Sequence, residues 1–206
     1  MKTNQNQKIK ELSRDKFLTP DECAKLCSAP KQNKLLGIRD YAILKVFLNC
    51  GLRKTELINL KVSDFQEQNG THWLIVHSKG GDIEEQDIMN QNTINAIWRY
   101  LKRAGHADKQ DEPLFQPIGH KLETQSKKLN RRSIDFMIKK YTQNAKIYKN
   151  VHAHTLRHTF GTELQTIVGD IKVTQKAMRH KSLSSTLIYL HTNRQRVRKG
   201  LAQLNL

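Results

Sequence analysis

The sequence predicts a mainly helical fold with one small antiparallel β-sheet, an α+β class. Apolar residues recur at helical spacing over 94–101 and again over 134–141. The apolar run 73–76 and the segment 83–89 flank a turn that contains two glycines, which is typical of a β-hairpin. At 206 residues the chain is long enough to bury a core, so we expect one compact domain over 17–206.

The first helices can be placed from their end signals. Thr19 before Pro20 predicts an N-cap followed by proline at the first helical position, and the two acids that come next favour a helix start. Residues 36–48 are mostly apolar, which is typical of a buried helix, and Gly51 is expected to end it. Another helix should begin close to Arg53, because strong helix formers follow it.

Two segments carry neither a helical nor a strand pattern. Residues 1–16 are rich in Lys, Asn and Gln and predict a flexible basic arm or the remnant of a linker. Residues 113–119 predict a loop between two halves of one domain rather than a domain boundary. No internal repeat is visible in the sequence.

The charge balance points to a polyanionic partner. The chain has 36 Lys and Arg against 19 Asp and Glu, a net charge of +17. Neutralising phosphates releases condensed counterions, so nucleic acid is the natural partner. A membrane surface would also attract this charge, but no apolar run approaches the roughly 20 residues that span a bilayer, and no signal peptide opens the chain. We expect a soluble, cytoplasmic protein that associates with the nucleoid when bound to DNA, and no membrane partner.

The three cysteines, Cys23, Cys27 and Cys50, are expected to be reduced. Their odd number, with no second closely spaced pair, argues against a disulfide framework and against a structural zinc site. Cys23 and Cys27 lie one helical turn apart, which predicts small buried apolar residues.

The last quarter of the chain contains side chains suited to phosphate chemistry. His154 and Arg157 are three positions apart, so at a helix entry both can project toward one point. Arginine presents a planar fork of donors to phosphate oxygens, which lysine cannot reproduce. The full candidate set is Arg53, Lys79, His154, Arg157, His180 and Tyr189.

This set could surround one phosphodiester while a tyrosine oxygen attacks its phosphorus, which is covalent catalysis on DNA. Simpler interpretations stay open: Lys79 beside two glycines is common turn chemistry, and His154 and His180 could fill the core or cap a helix. Tyr189 could be a core aromatic, although it is the only tyrosine after Tyr148. The remaining nearby histidines are expected to be structural or close to DNA: His152, His158 and His191.

Four segments in this order resemble a known family. They are Gly51-Leu52-Arg53-Lys54-Thr55-Glu56-Leu57, Ser78-Lys79-Gly80-Gly81, His154-Thr155-Leu156-Arg157-His158-Thr159-Phe160, and Met178-Arg179-His180-Lys181 with Ile188-Tyr189-Leu190-His191. Together they resemble the catalytic domain of the tyrosine recombinases, the phage integrase family, over roughly residues 17–200. The resemblance implies the tyrosine recombinase catalytic-domain fold.

The resemblance also implies a role for each residue. Arg53, Arg157 and His180 would hold the scissile phosphate, and Tyr189 would attack it to leave a 3′-phosphotyrosyl link and a free 5′-hydroxyl. Lys79 would protonate the leaving oxygen.

Two further residues would support these groups. His154 would assist proton movement at the tyrosine or hydrogen-bond the phosphate, and Glu56 would orient a catalytic arginine or histidine. The resemblance implies no cofactor and no metal, because the phosphotyrosine stores the bond energy for rejoining.

The partners that the resemblance implies are double-stranded DNA with specific recombination sites and further copies of the chain. The protein would be a monomer when free and a tetramer on two paired duplexes, and accessory DNA-bending proteins could take part. Residues 192–206 combine basic and apolar side chains, so they could dock on a neighbouring protomer or form a helix on their own domain.

The sequence departs from the family pattern in three places. The hairpin carries acids where the family often has basic residues, and Arg179 stands where a glycine is common. Residues 1–16 are too short for the separate core-binding domain that precedes most catalytic domains of the family. The chain is then either a compact single-domain member or a fragment, and Met1 with the polar arm favours a natural start. The acids are Asp82, Glu84, Glu85 and Asp87.

The sequence therefore predicts a site-specific recombinase that integrates, excises or inverts mobile or plasmid DNA. Two alternatives are a type IB topoisomerase-like enzyme, which relaxes supercoils without pairing sites, and a catalytically silent DNA-binding regulator.

Overall fold

The structure is a computed structural model, and it describes residues 16–78, 81–119, 128–180, 182 and 184–187. The described residues divide into two compact units, with the boundary between Phe160 and Gly161. Several predicted features lie outside the described residues. They are residues 1–15 of the arm, Lys79 and Gly80 of the hairpin turn, Tyr189 and the tail 192–206. The assignment of 17–206 as one domain stays a prediction.

Eight helices and three strands make up the described part of the chain. The helices are α1 (Pro20–Ser28), α2 (Leu35–Cys50), α3 (Lys54–Asn59), α4 (Gln91–Ala104), α5 (Arg131–Asn144), α6 (Ala153–Val168), α7 (Ile171–Ala177) and α8 (Ser184–Leu187). The strands are β1 (Phe65–Gln68), β2 (Thr71–His77) and β3 (Ile83–Asp87). The α+β class predicted from the sequence is confirmed.

The predicted helix ends are confirmed. The Thr19 hydroxyl accepts a hydrogen bond from the backbone N–H of Glu22, whose carboxylate accepts from the N–H of Thr19 in return. Both are donors that the first turn of a helix cannot satisfy internally. Gly51 follows α2 with a φ of 58°, in the left-handed region that favours glycine.

The sheet has the order β1-β2-β3, and both pairs are antiparallel. The predicted hairpin is β2 with β3, in the register Trp73↔Asp87. Strand β1 was not predicted, because Phe65 is its only apolar residue and the strand forms through backbone pairing with β2.

The hydrophobic core lies in the first unit, where α2 packs against α4 and α3 against α5. Cys50 is buried within it, whereas Cys23 and Cys27 are only half-buried against its edge. All three cysteines are free thiols. None of the helices in the described part of the chain has the length and hydropathy that a bilayer crossing requires.

Candidate active site

The first structural element of the site is the sharp turn at Gly51, which joins α2 to α3. A Cβ on Gly51 would lie 2.3 Å from the Phe160 ring, so the chain needs a glycine here for space as well as for its positive φ. Leu52 is fully buried after the turn, and Arg53 becomes the N-cap residue of α3. The turn therefore fixes where the Arg53 side chain begins.

A buried glutamate holds Arg53 in place. The Glu56 carboxylate accepts one hydrogen bond from the backbone N–H of Arg53 (2.7 Å) and another from Arg53 Nη1 (2.5 Å). The Glu56 side chain is 2% exposed and that of Arg53 is 41% exposed. A carboxylate at the third position of a helix also satisfies a backbone donor of the first turn, so Glu56 both caps α3 and orients the guanidinium.

A second arginine reaches the same carboxylate from α6. Arg157 Nη1 donates a hydrogen bond to the Gly51 carbonyl at 2.5 Å and lies 3.8 Å from Glu56 Oε2. The Arg157 side chain is almost completely buried. Glu56 thus lies between two guanidinium groups that come from positions 53 and 157, which confirms their predicted proximity.

Both arginines line a cavity of about 480 Å³. One wall carries an ion pair in which Lys54 Nζ donates to both carboxylate oxygens of Asp135 at 2.7 Å. This pair joins α3 to α5 at the cavity edge. The complete lining is Leu52, Arg53, Lys54, Asp135, His152, Ala153, His154 and Arg157.

Two histidines complete the cavity at the start of α6. His152 Nδ1 accepts a hydrogen bond from the backbone N–H of Thr155, and Thr155 Oγ1 accepts from the N–H of His152. The His152 ring stacks on the His154 ring with centroids 6.3 Å apart. Partial desolvation, followed by the positive charges of His152, Arg157 and Arg53, lowers the pKa of His154. The neutral imidazole is therefore the favoured form near neutral pH.

The second unit contains His180 after α7. His180 Nδ1 is 2.9 Å from Thr186 Oγ1 on α8, and its backbone N–H donates to the Gln175 carbonyl. The preceding residue, Arg179, has a φ of 51°. A left-handed conformation explains why glycine would suit the position where this chain has arginine.

The structure thus brings together Arg53, Glu56, His154 and Arg157 around one cavity of the first unit. His180 belongs to the second unit and is held by Thr186 within that unit. No cluster of three metal-ligating side chains occurs in the ranges that the structure describes.

Comparison with known families identifies the family of this chain. The sequence pattern of the phage integrase family matches residues 16–196, which is most of the chain. The chain belongs to the phage integrase family.

Members of the phage integrase family with curated names are similar over most of this chain. A tyrosine recombinase XerC from Thermodesulfovibrio yellowstonii is 31% identical over 187 residues, which cover 86% of this chain and 58% of the relative. The chain therefore spans little more than half the length of that relative.

Solved structures of the family share the fold. The crystal structure of XerA recombinase has a TM-score of 0.71 and 29% identity, covering 92% of this chain and 66% of its own. XerH recombinase bound to a difH substrate also has a TM-score of 0.71, with 22% identity, covering 91% of this chain and 54% of its own. These similarities confirm the catalytic-domain fold expected from the family resemblance.

Sequence reasoning missed three residues of the cavity. His152 was assigned only a structural or DNA-proximal role, but it caps α6 and also lines the cavity. Its spacing from Thr155 is the signal that could have identified the cap. Lys54 and Asp135 are 81 positions apart, so no local pattern could have paired them. His158, by contrast, is buried and stacks on Phe17, in agreement with a structural role.

Proposed function

We propose that this chain is the catalytic part of a site-specific DNA recombinase that cuts and rejoins strands through Tyr189. Membership of the phage integrase family supports the reaction class. The observation that carries the proposal is the pair of arginines, Arg53 and Arg157, drawn to one cavity by the carboxylate of Glu56. Two guanidinium groups beside one cavity suit the non-bridging oxygens of a phosphodiester, on which negative charge grows during displacement.

The chemistry proceeds as an in-line exchange at phosphorus. The Tyr189 oxygen forms a bond to phosphorus while the bond from phosphorus to the 5′-oxygen breaks, which leaves a 3′-phosphotyrosyl link. Lys79 gives a proton to the departing 5′-oxygen, and the phenol proton passes to His154 or to water. Arg53, Arg157 and His180 neutralise the phosphate oxygens. Attack by a different 5′-hydroxyl reverses these steps and joins new partners.

The low pKa of His154 fits this scheme. An imidazole that is neutral near pH 7 can accept a proton from the phenol or share a hydrogen bond with the phosphate. Once a phosphate occupies the cavity, its negative charge offsets the repulsion from the neighbouring cations, so protonation of His154 becomes easier.

The partner of the site is double-stranded DNA that carries a specific recombination site. The net charge of +17 supports DNA as the partner, and the solved XerH relative is bound to its difH substrate. Four copies on two paired duplexes form the working complex, with accessory DNA-bending proteins as further partners. The products are integrated, excised or inverted segments of mobile or plasmid DNA, and the reaction takes place in the cytoplasm, where that DNA lies.

Covalent capture tests the proposal and finds the target sequence in the same experiment. The full chain is incubated with sheared DNA of its own organism, the reaction is stopped with detergent, and protein-linked fragments are collected and sequenced. We expect enrichment of one short sequence, and a nicked duplex made from it should trap a stoichiometric adduct. Tyr189→Phe removes the nucleophile but keeps the ring, so it should bind the duplex equally well and form no adduct.

The other outcomes separate the alternatives. Relaxation of supercoiled plasmids without any enriched sequence would indicate a type IB topoisomerase-like enzyme. Sequence-specific binding without any adduct, in wild type and Tyr189→Phe alike, would indicate a silent DNA-binding regulator. An adduct that survives in Tyr189→Phe would show that another residue is the nucleophile.

A further inference from the structure

His152 directly precedes α6 and is fixed there by a reciprocal pair of hydrogen bonds. Its Nδ1 accepts from the backbone N–H of Thr155 at 3.3 Å, and its own backbone N–H donates to Thr155 Oγ1 at 3.3 Å. The Thr155 hydroxyl donates to the Asn150 carbonyl, and Thr155 is only 4% exposed. The His152 ring satisfies a donor that the first turn of a helix leaves open, so rotation of the ring would break this bond. The ring therefore has a fixed orientation.

His154, in the first turn of α6, has no comparable support. Within the residues that the structure describes, no hydrogen bond or ion pair holds its side chain, and its one ring contact is with His152. The two ring planes differ by only 19°, and their centroids are 6.3 Å apart. His180 differs from His154, because Thr186 Oγ1 lies 2.9 Å from its Nδ1. The orientation of the His154 ring therefore depends on the ring of His152.

The orientation of the His154 ring matters for the proposed reaction. The ring can accept the phenol proton only if an unprotonated nitrogen lies within hydrogen-bond reach of the nucleophile. A histidine side chain has three staggered χ1 positions, and an exposed ring without a partner samples them freely. A flat ring that is itself held in place restricts this choice, because aromatic pairs are strong enough to favour one position several-fold.

The charged groups around the cavity come from three helices. Asp135 is paired with Lys54, and Glu56 contacts both arginines. Desolvation lowers the pKa of His154 most, and the charge of His152 comes next, ahead of both arginines. The stacked ring therefore affects the proton state of His154 as well as its orientation. The full set is Arg53, Lys54 and Glu56 at the start of α3, Asp135 on α5, and His152 and Arg157 at the start of α6.

We propose that His152 is a positioning residue: the cap of α6 fixes its ring, and this ring holds the His154 ring with a nitrogen toward the cavity. The inference rests on the proposed function, because it gives the phenol proton to His154. It goes beyond capping, since a cap needs only an acceptor atom and no ring. Other side chains fit at this position, because His152 is exposed and also lines a second cavity of about 360 Å³, together with Asp135, Lys139 and Lys149.

Two variants of the full chain separate the ring from the cap. His152→Asn keeps a cap acceptor and removes the ring, whereas His152→Phe keeps a flat ring and removes the acceptor. Three-bond NMR couplings across the Cα–Cβ bond of His154 measure its χ1 distribution, and His154→Gln assigns the signals. We expect one dominant position in wild type and averaged couplings in His152→Asn, with His152→Phe closer to wild type. The pKa of His154 should rise in His152→Asn, because the desolvating ring and its charge are both lost.

The rate of covalent adduct formation on a nicked duplex provides the second measurement. His152→Asn should slow it about three- to tenfold, and His152→Phe should slow it less. The acidic limb of the pH–rate profile should move to higher pH in His152→Asn, because His154 must be neutral to accept the proton. The urea midpoints should have the opposite order, with His152→Phe the less stable variant, because it has lost the cap.

The two orders decide between positioning and capping. If the rates follow the urea midpoints, His152 only caps α6 and the proposal is wrong. Averaged His154 couplings in wild type, or wild-type couplings in His152→Asn, would overturn it as well. A wild-type chain that forms no adduct would contradict the proposed function instead, and the couplings alone would then decide whether His152 fixes the ring of His154.

Discussion

Two buried carboxylates, Asp40 on α2 and Glu56 on α3, each hold an arginine, but only Glu56 lies between two arginines. Asp40 Oδ1 accepts hydrogen bonds from Arg39 Nε and Nη2 at 2.9 and 2.6 Å, and its Oδ2 accepts one from the Tyr141 hydroxyl at 2.8 Å. Arg39 Nη1 donates to the Gln116 carbonyl. The Arg39 side chain is 8% exposed beside a separate cavity of about 440 Å³, and Asp40 neutralises it in a one-to-one pair that we call closed.

Glu56 is as deeply buried but divides its two oxygens between two arginines. Arg53 is 41% exposed and Arg157 is 3% exposed, and both line the cavity. A closed pair of opposite charges can only stabilise the fold or specify it. One carboxylate between two guanidinium groups leaves an excess of positive charge, which a phosphate can neutralise. The comparison shows that the ratio of charges and the exposure of the arginine, rather than the ion pair itself, mark a functional site.

Removing the carboxylate of Asp40 should give the largest effect of these variants, and that effect is a loss of stability. Asp40→Ala leaves Arg39 buried without its anion, so we expect a loss of about 3–5 kcal/mol in the free energy of unfolding, measured by urea titration. Burial and then the nearby Asp40 charge raise the pKa of Tyr141, so its phenol should titrate at lower pH in the variant. Adduct yield per folded molecule should stay at the wild-type value. Loss of adduct at unchanged stability would place Asp40 in the site and remove the contrast with Glu56.

Removing the exposed arginine, Arg53, should slow the reaction rather than destabilise the fold. Arg53→Ala deletes a donor to the phosphate, so we expect covalent adduct formation to slow by about 10²–10³-fold, as for other donors that stabilise developing negative charge. The free energy of unfolding should change by about 1 kcal/mol or less, since the guanidinium is partly solvated. Arg99→Ala is the control, because Arg99 is an exposed arginine of α4 that bonds Gln32. Equal slowing in both variants would mean that net charge alone is responsible.

A substitution at Gly51, in the turn between α2 and α3, should give a smaller but measurable effect. Gly51→Ala introduces a Cβ at 2.3 Å from the Phe160 ring and places an alanine in the left-handed region. The free energy of unfolding should therefore fall by about 2–3 kcal/mol. Gly105→Ala is a matched control, because Gly105 also ends a helix with positive φ but has nothing within 4 Å of its Cβ position. In Gly105→Ala the free energy of unfolding should fall only by the cost of a left-handed alanine, about 1 kcal/mol. If the two variants lose equal stability, the contact with Phe160 has no energetic role.

The parts of this molecule that the sequence predicted are those with local signals. The caps at Thr19 and Gly51 depend on residues within one turn, and both are confirmed. The proximity of Arg53 and Arg157 was expected from the family resemblance, since the 103 intervening positions carry no local signal. β1 has a single apolar residue and therefore no alternation to detect.

The contact of Glu56 with two arginines could be predicted only in part from the sequence. The resemblance implied that Glu56 orients one arginine or histidine, and its spacing from Arg53 fits a reciprocal bond at the start of α3. Only the packing of α6 against the Gly51 turn brings Arg157 within 3.8 Å of the same carboxylate. The ion pair between Lys54 and Asp135 has the same origin, because the approach of α3 to α5 creates it.

The smallest effect should be a shift in the titration of His154. Desolvation, and then the charges of His152, Arg157 and Arg53, lower its pKa below the ordinary value of 6.5. Orthovanadate, a phosphate mimic, should raise that pKa when it occupies the cavity, because it adds negative charge beside the ring. Ring signals followed by NMR against pH measure the shift, and His154→Gln assigns the signal by its disappearance.

The sign of the stability change follows from the same lowered pKa. Well above pH 6.5 the imidazole is neutral in the folded and unfolded chain, so His154 adds no pH dependence there. Below that pH the unfolded chain takes up the proton first, so the free energy of unfolding should fall until the folded pKa is passed. Wild type should therefore lose more stability on acidification than His154→Gln, and vanadate should reduce the difference. The ring signals of His106, which lies against the Leu114 carbonyl away from the cavity lining, should not move when vanadate is added at constant pH. A His154 pKa at or above 6.5 without ligand would mean that neither desolvation nor the neighbouring cations act on the ring, and the excess positive charge inferred beside Glu56 would be absent.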